Sequence, residues 1–386
     1  MSKYFNNRNY RMMYYDSFFK TFANGIYSVF TPVILYKAGV SITMIIFIYM
    51  IQFLVMGLFS PLAGTLSKKI GVANTKLVSY ILKSFSMVLV LTVETNVLYY
   101  LAIAIIYGFS GAANNPLNTY LPSKFVNEDF RGRFNSFVYV LRCFSNIVGY
   151  VFAGIFLTSN NNNVIIISVF LSYFLAYLAL RALDNKKLDY HVTSPFKESY
   201  KYFVKGNSNK ELKIVSGLRS FIILERLIAV PLYLYISLMN LKTFTLLYVL
   251  STVIELFSLF VVGNKLDKNK VQTFNAISVI KGTITWVFLF ANNKYSLMVN
   301  QSLYKLVDNI YDSSYSALSQ SKVEKDKEDT MLLSIVHEMS LCFCEFFVLL
   351  FLLIVSLFSV NLVFKAMFMG SIVVLFANAY LVEEWN

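Results

Sequence analysis

Repeated hydrophobic runs of about 20 residues are the feature of this sequence that most limits the folds open to it. Such a run is long enough for a helix to cross the hydrocarbon core of a bilayer. Only 14% of the residues are charged, whereas soluble domains carry about 25%. The alternating segments of ~10 residues that build a membrane β-barrel are not visible. The sequence therefore predicts an all-α membrane protein.

Twelve transmembrane helices can be assigned to the hydrophobic runs. Their approximate ranges are 14–36, 42–66, 76–94, 97–121, 134–157, 164–182, 214–238, 242–262, 271–291, 296–318, 331–355 and 359–381. Because the number of helices is even, both chain termini are expected on the same side of the membrane.

The distribution of basic residues predicts which side that is. The segment before the first helix and the gaps after helices 2, 4, 6, 8 and 10, with the helix ends beside them, hold 23 Lys and Arg residues. The opposite gaps hold only Lys37, Lys242 and Lys294. Basic residues concentrate on the cytoplasmic side of membrane proteins. We therefore expect a multi-pass protein with both termini cytoplasmic, and the compact loops favour a bacterial cytoplasmic membrane.

The net charge of +13 does not indicate nucleic-acid binding. Nucleic-acid-binding proteins cluster their basic residues in patches, whereas here they occupy alternate gaps between helices. The partners expected from the sequence are the lipid bilayer and a small molecule.

The two halves of the sequence resemble each other at a nearly constant offset. Pro32 and Pro231 are 199 residues apart, and Lys83 and Lys281 are 198 apart. A sustained offset indicates an internal repeat. We predict two six-helix bundles related by a pseudo-twofold axis, at residues 1–183 and 214–386, joined by a cytoplasmic linker at 184–213.

Within the linker, residues 195–206 (PFKESYKYFVKG) place aromatic side chains at helical spacing among lysines. This pattern is typical of a short helix at the anionic surface of the inner leaflet. A solvated linker without such contacts is the alternative.

Polar stripes on helices from both halves predict a central cavity. Charged groups within membrane helices face the protein interior or a water-filled space. The candidate cavity residues are Asn24, Asn114, Asn115, Asn118, Tyr139, Arg142, Asn146, Glu225, Arg226, Tyr304, Lys305 and Asp308.

Two alternatives to substrate binding stay open for these residues. The charged groups can form internal ion pairs that only fix packing. The asparagines flank Pro116, which leaves one backbone carbonyl of the helix without its hydrogen bond. The asparagine side chains can donate to that carbonyl instead of binding a ligand. Asp16 is expected to cap a helix or to extend toward the membrane interface.

Several carboxylates are candidates for proton coupling. Clustered carboxylates in a low-dielectric site retain protons, because like charges and desolvation both disfavour ionisation. Asp308 and Asp312 are one helical turn apart, and Glu338 and Glu345 share a helix face. With Glu255, they form the predicted proton-coupling set.

No enzyme motif stands out. The sequence has no G-x-x-x-x-G-K-[ST] phosphate loop, and His337-Glu338 lacks the second histidine of H-E-x-x-H. The three cysteines lie inside hydrophobic runs and are expected to be apolar filler. We expect no enzymatic activity, no cofactor and no metal site.

The loop after helix 2 resembles a signature of the major facilitator superfamily, G-x-L-[AS]-D-[RK]-x-G. Residues 64–71 read GTLSKKIG, so Gly64, Lys69 and Gly71 match the signature and Lys68 replaces its Asp. The second-half counterpart, GNKLDK at residues 263–268, keeps the acidic residue as Asp267. Residues 128–133 (EDFRGR, with Arg131) are similar to a further segment of that family.

This resemblance implies two bundles that move about a central site and open alternately to each side of the membrane. It implies that Gly64, Lys68, Lys69, Gly71, Asp267 and Arg131 belong to loops that switch between these conformations. The replacement of Asp by Lys68 alters the usual charge contact in the first half.

Together these features predict a secondary active transporter that works as a monomer. An ion-gradient-driven exporter of a small amphipathic or peptide-like compound, with protons as the coupling ion, is the first hypothesis. A proton-coupled uptake symporter is the alternative. A membrane sensor or assembly protein without transport activity is the alternative from another class.

Overall fold

The computed structural model describes residues 7–94, 96–127, 130–183, 195–205, 217, 219–266, 270–290, 293–325 and 330–381. Within these ranges the chain is helical and contains no strand. The helices are α1 Arg8–Tyr27, α2 Phe30–Lys37, α3 Ile42–Phe59, α4 Leu62–Ile70, α5 Val72–Leu91, α6 Val97–Phe125, α7 Arg131–Thr158, α8 Asn162–Arg181, α9 Pro195–Lys205, α10 Arg219–Leu238, α11 Leu241–Leu266, α12 Lys270–Phe288, α13 Lys294–Lys325, α14 Thr330–Phe358 and α15 Val360–Leu381.

Each predicted transmembrane helix corresponds to one helix or to a consecutive pair. The first predicted helix is divided into α1 and α2, and the second into α3 and α4. Pro32 lies just after the first break and Pro61 within the second, and a proline ring clashes with the carbonyl four residues earlier. Seven of the described helices are long and apolar enough to cross a membrane.

A π-helical turn at Glu225–Ala229 interrupts α10. It precedes Pro231, which lacks a backbone N–H and cannot continue a regular α-helical ladder. The turn changes the direction in which the following side chains point, so the face of α10 is not a simple α-helical stripe.

The contacts within each half are set by close helix packing. In the first half, α1 packs on α7 and α8, and α5 packs on α6 and α8. In the second half, α12 packs on α13 and α15. A Cβ atom added at Gly149 would lie 2.9 Å from the Phe22 carbonyl oxygen, so α1 and α7 approach closely only because a glycine is present.

The internal repeat is visible as matching cation–π contacts. The Lys83 ammonium of α5 lies 5.0 Å from the ring centroid of Tyr107 on α6. The Lys281 ammonium of α12 lies 5.0 Å from the ring centroid of Tyr304 on α13. The same pair of helices in each half therefore makes the same type of contact.

The halves meet along two seams, α3 with α14 and α7 with α11. We call the end of the bundle that carries α4 and α9 the linker end, and the opposite end the far end. At the linker end, the Tyr139 and Ser316 hydroxyl oxygens are 3.2 Å apart. At the far end, the rings of Phe30 and Phe244 are 5.8 Å apart between centroids. The halves thus touch at both ends.

The predicted linker is described only at 195–205. There it forms α9, which packs on α14 and α4. The alternative of a solvated linker without packing contacts is therefore wrong for these residues. The rest of residues 184–213 and the exact limits of the two predicted bundles lie outside the described residues.

Asp16 is the centre of a buried polar cluster in the first half. Lys76, which is 1% exposed, places its ammonium 3.1 Å from the Asp16 carboxylate. The Tyr80 hydroxyl donates to the same carboxylate at 2.5 Å, and the Lys20 ammonium lies 3.8 Å away. The expectation of a capping or interfacial role for Asp16 is wrong, because the side chain joins α1 to α5 inside the bundle.

We expect Lys76→Met or Asp16→Asn alone to lower the stability of the protein by about 3–5 kcal/mol, because each leaves an uncompensated buried polar group. The double variant Asp16→Asn with Lys76→Met removes both charges and is expected to be more stable than Asp16→Asn alone. Thermal unfolding of the detergent-purified variants measures this. Additive losses in the double variant would contradict the pairing.

Candidate functional site

A cavity of about 480 Å³ lies between the two halves. Its wall is formed by residues of α1, α3, α5, α6 and α7 from the first half and of α10, α11, α13 and α14 from the second. Most of the predicted cavity residues lie on this wall: Asn24, Asn114, Asn115, Asn118, Tyr139, Arg142, Asn146, Arg226, Lys305 and Asp308. The wall also includes Glu255, Asp312, Glu338 and Glu345.

Glu225 and Tyr304 differ from the prediction, because neither lies on the cavity wall. Both are fully buried. Glu225 and Arg226 are consecutive in the π-helical turn and therefore point in different directions, and Arg226 faces the cavity. Tyr304 packs its ring on Phe288 and Lys281 instead.

The carboxylate of Asp308 is surrounded by cations. The Lys281 ammonium lies 2.5 Å from it, the Arg226 guanidinium 3.6 Å and the Lys305 ammonium 3.9 Å. These cations come from α12, α10 and α13, so the group ties three helices of the second half together.

Asp312, one turn further along α13, forms a second set of ion pairs. The Arg219 guanidinium donates to it at 2.8 Å, and the Arg226 guanidinium also donates to it. Because Asp308 and Asp312 are each compensated by cations, the argument from like-charge repulsion does not apply to this pair. The structure corrects that part of the proton-coupling hypothesis.

Glu255 on α11 is 4.0 Å from the Lys305 ammonium. Lys305 is thereby shared between Glu255 and Asp308 and lies at the cavity wall. The second half thus contributes a continuous acid–base network to the cavity.

Two cations of the first half form no ion pair with any described carboxylate. The Arg142 guanidinium donates to the Ser17 hydroxyl at 3.1 Å and lies over the Tyr139 ring. The Lys83 ammonium lies over the Tyr107 ring. Both side chains reach the cavity wall.

Two carboxylates of α14 face the same cavity without a cationic partner among the described residues. Glu338 accepts a hydrogen bond from the Asn115 amide of α6 at 2.7 Å, which is a contact between the two halves. Glu345 is 2% exposed and makes neither an ion pair nor a hydrogen bond with the residues that the structure describes. Beside them, His337 Nε2 lies 3.1 Å from the Tyr315 hydroxyl.

The candidate set from sequence omitted Lys83, whose side chain reaches the cavity wall. Its counterpart Lys281 instead pairs with Asp308 inside the second half. The repeat offset of 198 that relates Lys83 to Lys281 relates Ser110 to Asp308. The missing carboxylate at position 110 is the signal in the sequence that distinguishes the two lysines.

The predicted switch loops lie at the linker end. Gly71 has a φ of 83°, a conformation that favours glycine and that sets the turn between α4 and α5. Lys68 and Lys69 are in the last turn of α4. Arg131 is fully buried at the start of α7, and its guanidinium donates to the Ser123 carbonyl at 3.1 Å.

Gly64 of the same predicted set packs against α14. A Cβ atom added there would lie 3.0 Å from Ile335 and 3.2 Å from Pro195. The signature glycine therefore permits the contact of α4 with the second half and with α9. Asp267 falls outside the described residues.

Comparison with known proteins extends these observations. The structure is similar to a human organic anion transporter, MFSD10 (TETRAN), with a TM-score of 0.69 and 12% sequence identity over 97% of this chain and 99% of that one. It is also similar to a bacterial homologue of the iron transporter ferroportin in an outward-facing state, with a TM-score of 0.70 and 12% identity over 98% and 99% of the two chains. No curated protein sequence matches the chain.

At these identities the similar structures establish the fold alone: an all-α membrane fold of two helical bundles. The sequence itself matches the family model of the Major Facilitator Superfamily over residues 17–332. That match covers most of the chain and includes the helices on both sides of the cavity. The protein is a multi-pass membrane transporter and belongs to the Major Facilitator Superfamily.

Proposed function

We propose that the chain is a proton-coupled exporter of a small amphipathic, zwitterionic compound of peptide-like chemistry. The observation that carries this proposal is the charge arrangement of the central cavity. Among the described residues, the cavity cations without a carboxylate partner lie on the first half, and the cavity carboxylates without a cationic partner lie on the second.

The substrate class follows from the energetics of these groups. A charge buried without a partner is costly, and a ligand of opposite charge compensates it. A ligand carboxylate fits Lys83 and Arg142, and a ligand amine fits Glu338 and Glu345. A compound with both groups satisfies both halves at once.

The rest of the cavity suits an apolar portion of such a ligand. Phe53, Met56, Tyr107 and Leu341 contribute to its wall. The volume of about 480 Å³ is within the range of pockets that hold small organic molecules, roughly 300–1,000 Å³. We therefore favour an amphipathic zwitterion over a simple inorganic ion.

The hydrogen bond between Asn115 and Glu338 couples ligand or proton binding in the cavity to movement of the two halves. Glu338 lines the cavity and also links α14 to α6 across the halves. A proton or a ligand amine that binds the Glu338 carboxylate competes for the oxygen that holds Asn115. Occupancy of the site then changes the stability of the contact between halves, which is what alternating access requires.

Protons are the proposed coupling ion because Glu338 and Glu345 are the cavity carboxylates that ion pairs leave uncompensated among the described residues. Protonation neutralises each of them without a second partner. The linker end is the predicted cytoplasmic end, so export corresponds to substrate entry from that end and proton entry from the far end.

The first prediction concerns recognition of the ligand carboxylate. We expect a zwitterionic dipeptide with one aromatic residue to stabilise the purified protein against heat more than its C-terminal amide does. In Arg142→Gln and Lys83→Gln, the affinity for the free carboxylate form is expected to fall at least about 30-fold, because one partner of a buried charge pair is lost.

Lys37→Gln is the matched control, since Lys37 is exposed at the far end. Thermal-shift titrations with a panel of such dipeptides, their amides and their N-acetyl derivatives measure the effect. Equal stabilisation by the zwitterions and by both neutralised forms would refute the proposed substrate class.

The second prediction concerns coupling and direction. In proteoliposomes with an imposed pH gradient, we expect proton entry to drive movement of a zwitterion identified in the thermal-shift panel in the opposite direction. Glu345→Gln and Glu338→Gln are expected to abolish the response to the gradient. Because the same carboxylates are the proposed partners of the ligand amine, exchange of labelled for unlabelled zwitterion is expected to continue only at raised zwitterion concentration. Glu94→Gln, at an exposed far-end carboxylate, is the control.

A double variant Glu338→Gln, Glu345→Gln that still responds to the pH gradient would exclude these residues as the coupling groups. Flux in the same direction as the protons would identify a symporter and contradict export.

A further inference from the structure

Helix α9 lies across the α3–α14 seam at the linker end and touches both halves. On the first half, the Tyr200 hydroxyl donates to the Leu58 carbonyl at 2.5 Å. On the second half, the Phe203 ring lies 5.4 Å from the Phe343 ring. If α3 and α14 separate at this end, α9 must lose its contact with at least one of the two halves.

The position of α9 relative to the membrane follows from the face of α14 that it covers. Phe343 begins a stripe that continues through Phe347, Phe351 and Ile354 at helical spacing. These three side chains are 62%, 52% and 51% exposed, as expected of residues that face lipid chains. Helix α9 covers only the linker-end part of this stripe, so it lies where the apolar surface ends, at the depth of the lipid headgroups.

The outward face of α9 is basic. Lys197, Lys201 and Lys205 follow one another at intervals of four residues and are all exposed. Phe196 and Val204, exposed at 36% and 75%, lie beside them. A lysine stripe with neighbouring apolar side chains, held at headgroup depth, is complementary to an anionic membrane surface.

We propose that α9 is a binding surface for anionic phospholipid headgroups, and that lipid bound there holds α9 across the seam and favours the conformation with a closed linker end. This role is independent of the substrate and of the coupling ion.

The energetic argument is one of differential binding. A lipid surface that binds the docked α9 more tightly than the released one shifts the equilibrium toward the docked state. The docked state contacts both halves through Tyr200 and Phe203, so the same shift stabilises the closed seam. Anionic lipid would thereby slow opening at the linker end.

The test uses the full-length protein in nanodiscs of phosphatidylcholine, with or without phosphatidylglycerol. We expect hydrogen exchange at the backbone amides of 195–205 to be slower in the anionic membrane by a factor of about 100, from the attraction of three lysines to the surface. The triple variant Lys197→Gln, Lys201→Gln, Lys205→Gln is expected to lose this difference between membranes.

The matched control is Lys37→Gln, Lys242→Gln, Lys294→Gln, which removes the same charge from exposed far-end positions. It is expected to keep the full lipid response. Two results overturn the proposal: equal exchange of α9 in both membranes in the unmodified protein, or an equal loss of response in both triple variants.

The effect on the seam is tested with Phe203→Ala, which keeps the lysine stripe and removes the contact with Phe343. We expect α9 amides to exchange faster. With the three native cysteines replaced by Ala, we expect spin labels at Lys69→Cys on α4 and Thr330→Cys on α14 to show an open population at least about 10-fold larger, because the docked state is less populated. An unchanged distance distribution in Phe203→Ala would show that α9 does not hold the seam closed and would overturn the proposal.

Discussion

The need to compensate charge in a low-dielectric interior governs this structure. A buried ion is stable only where a counterion or several hydrogen-bond donors surround it. The Asp16 cluster meets this requirement in the first half, and Asp308 and Asp312 meet it in the second. These clusters fasten α1 to α5 and join α10, α12 and α13. Lys83, Arg142, Glu338 and Glu345, which form no ion pair among the described residues, lie at the cavity wall, where water or a ligand can reach them.

The two halves share a scaffold and differ in how its charges are used. Lys83 and Lys281 occupy equivalent positions and make the same cation–π contact. Within the part of the chain that the structure describes, Lys281 has a carboxylate partner and Lys83 has none, because Asp308 in the second half corresponds to Ser110 in the first. The repeat therefore produces a structural lysine in one half and a cavity lysine in the other. An asymmetric site between two similar bundles suits a ligand whose two ends differ.

The linker end combines several independent contacts between the halves. Gly64 allows α4 to reach Ile335, Asn115 donates to Glu338, and α9 lies across the seam outside them. The inner contact responds to occupancy of the cavity, whereas the outer one faces the membrane surface. In our proposals, one end of the transporter integrates two signals, ligand or proton binding from within and lipid composition from without.

The sequence alone determined the class of fold, the approximate limits of the described helices, and most of the charged residues at the cavity wall. These follow from hydrophobic length and helical spacing, which are local properties of the chain. The tertiary structure decided the rest: the burial of Glu225 behind the wall, the compensation of Asp308 and Asp312 by cations, the hydrogen bond between Asn115 and Glu338, and the docking of α9. Each of these depends on how helices distant in the sequence rotate and approach one another, and neither helical period nor composition contains that information.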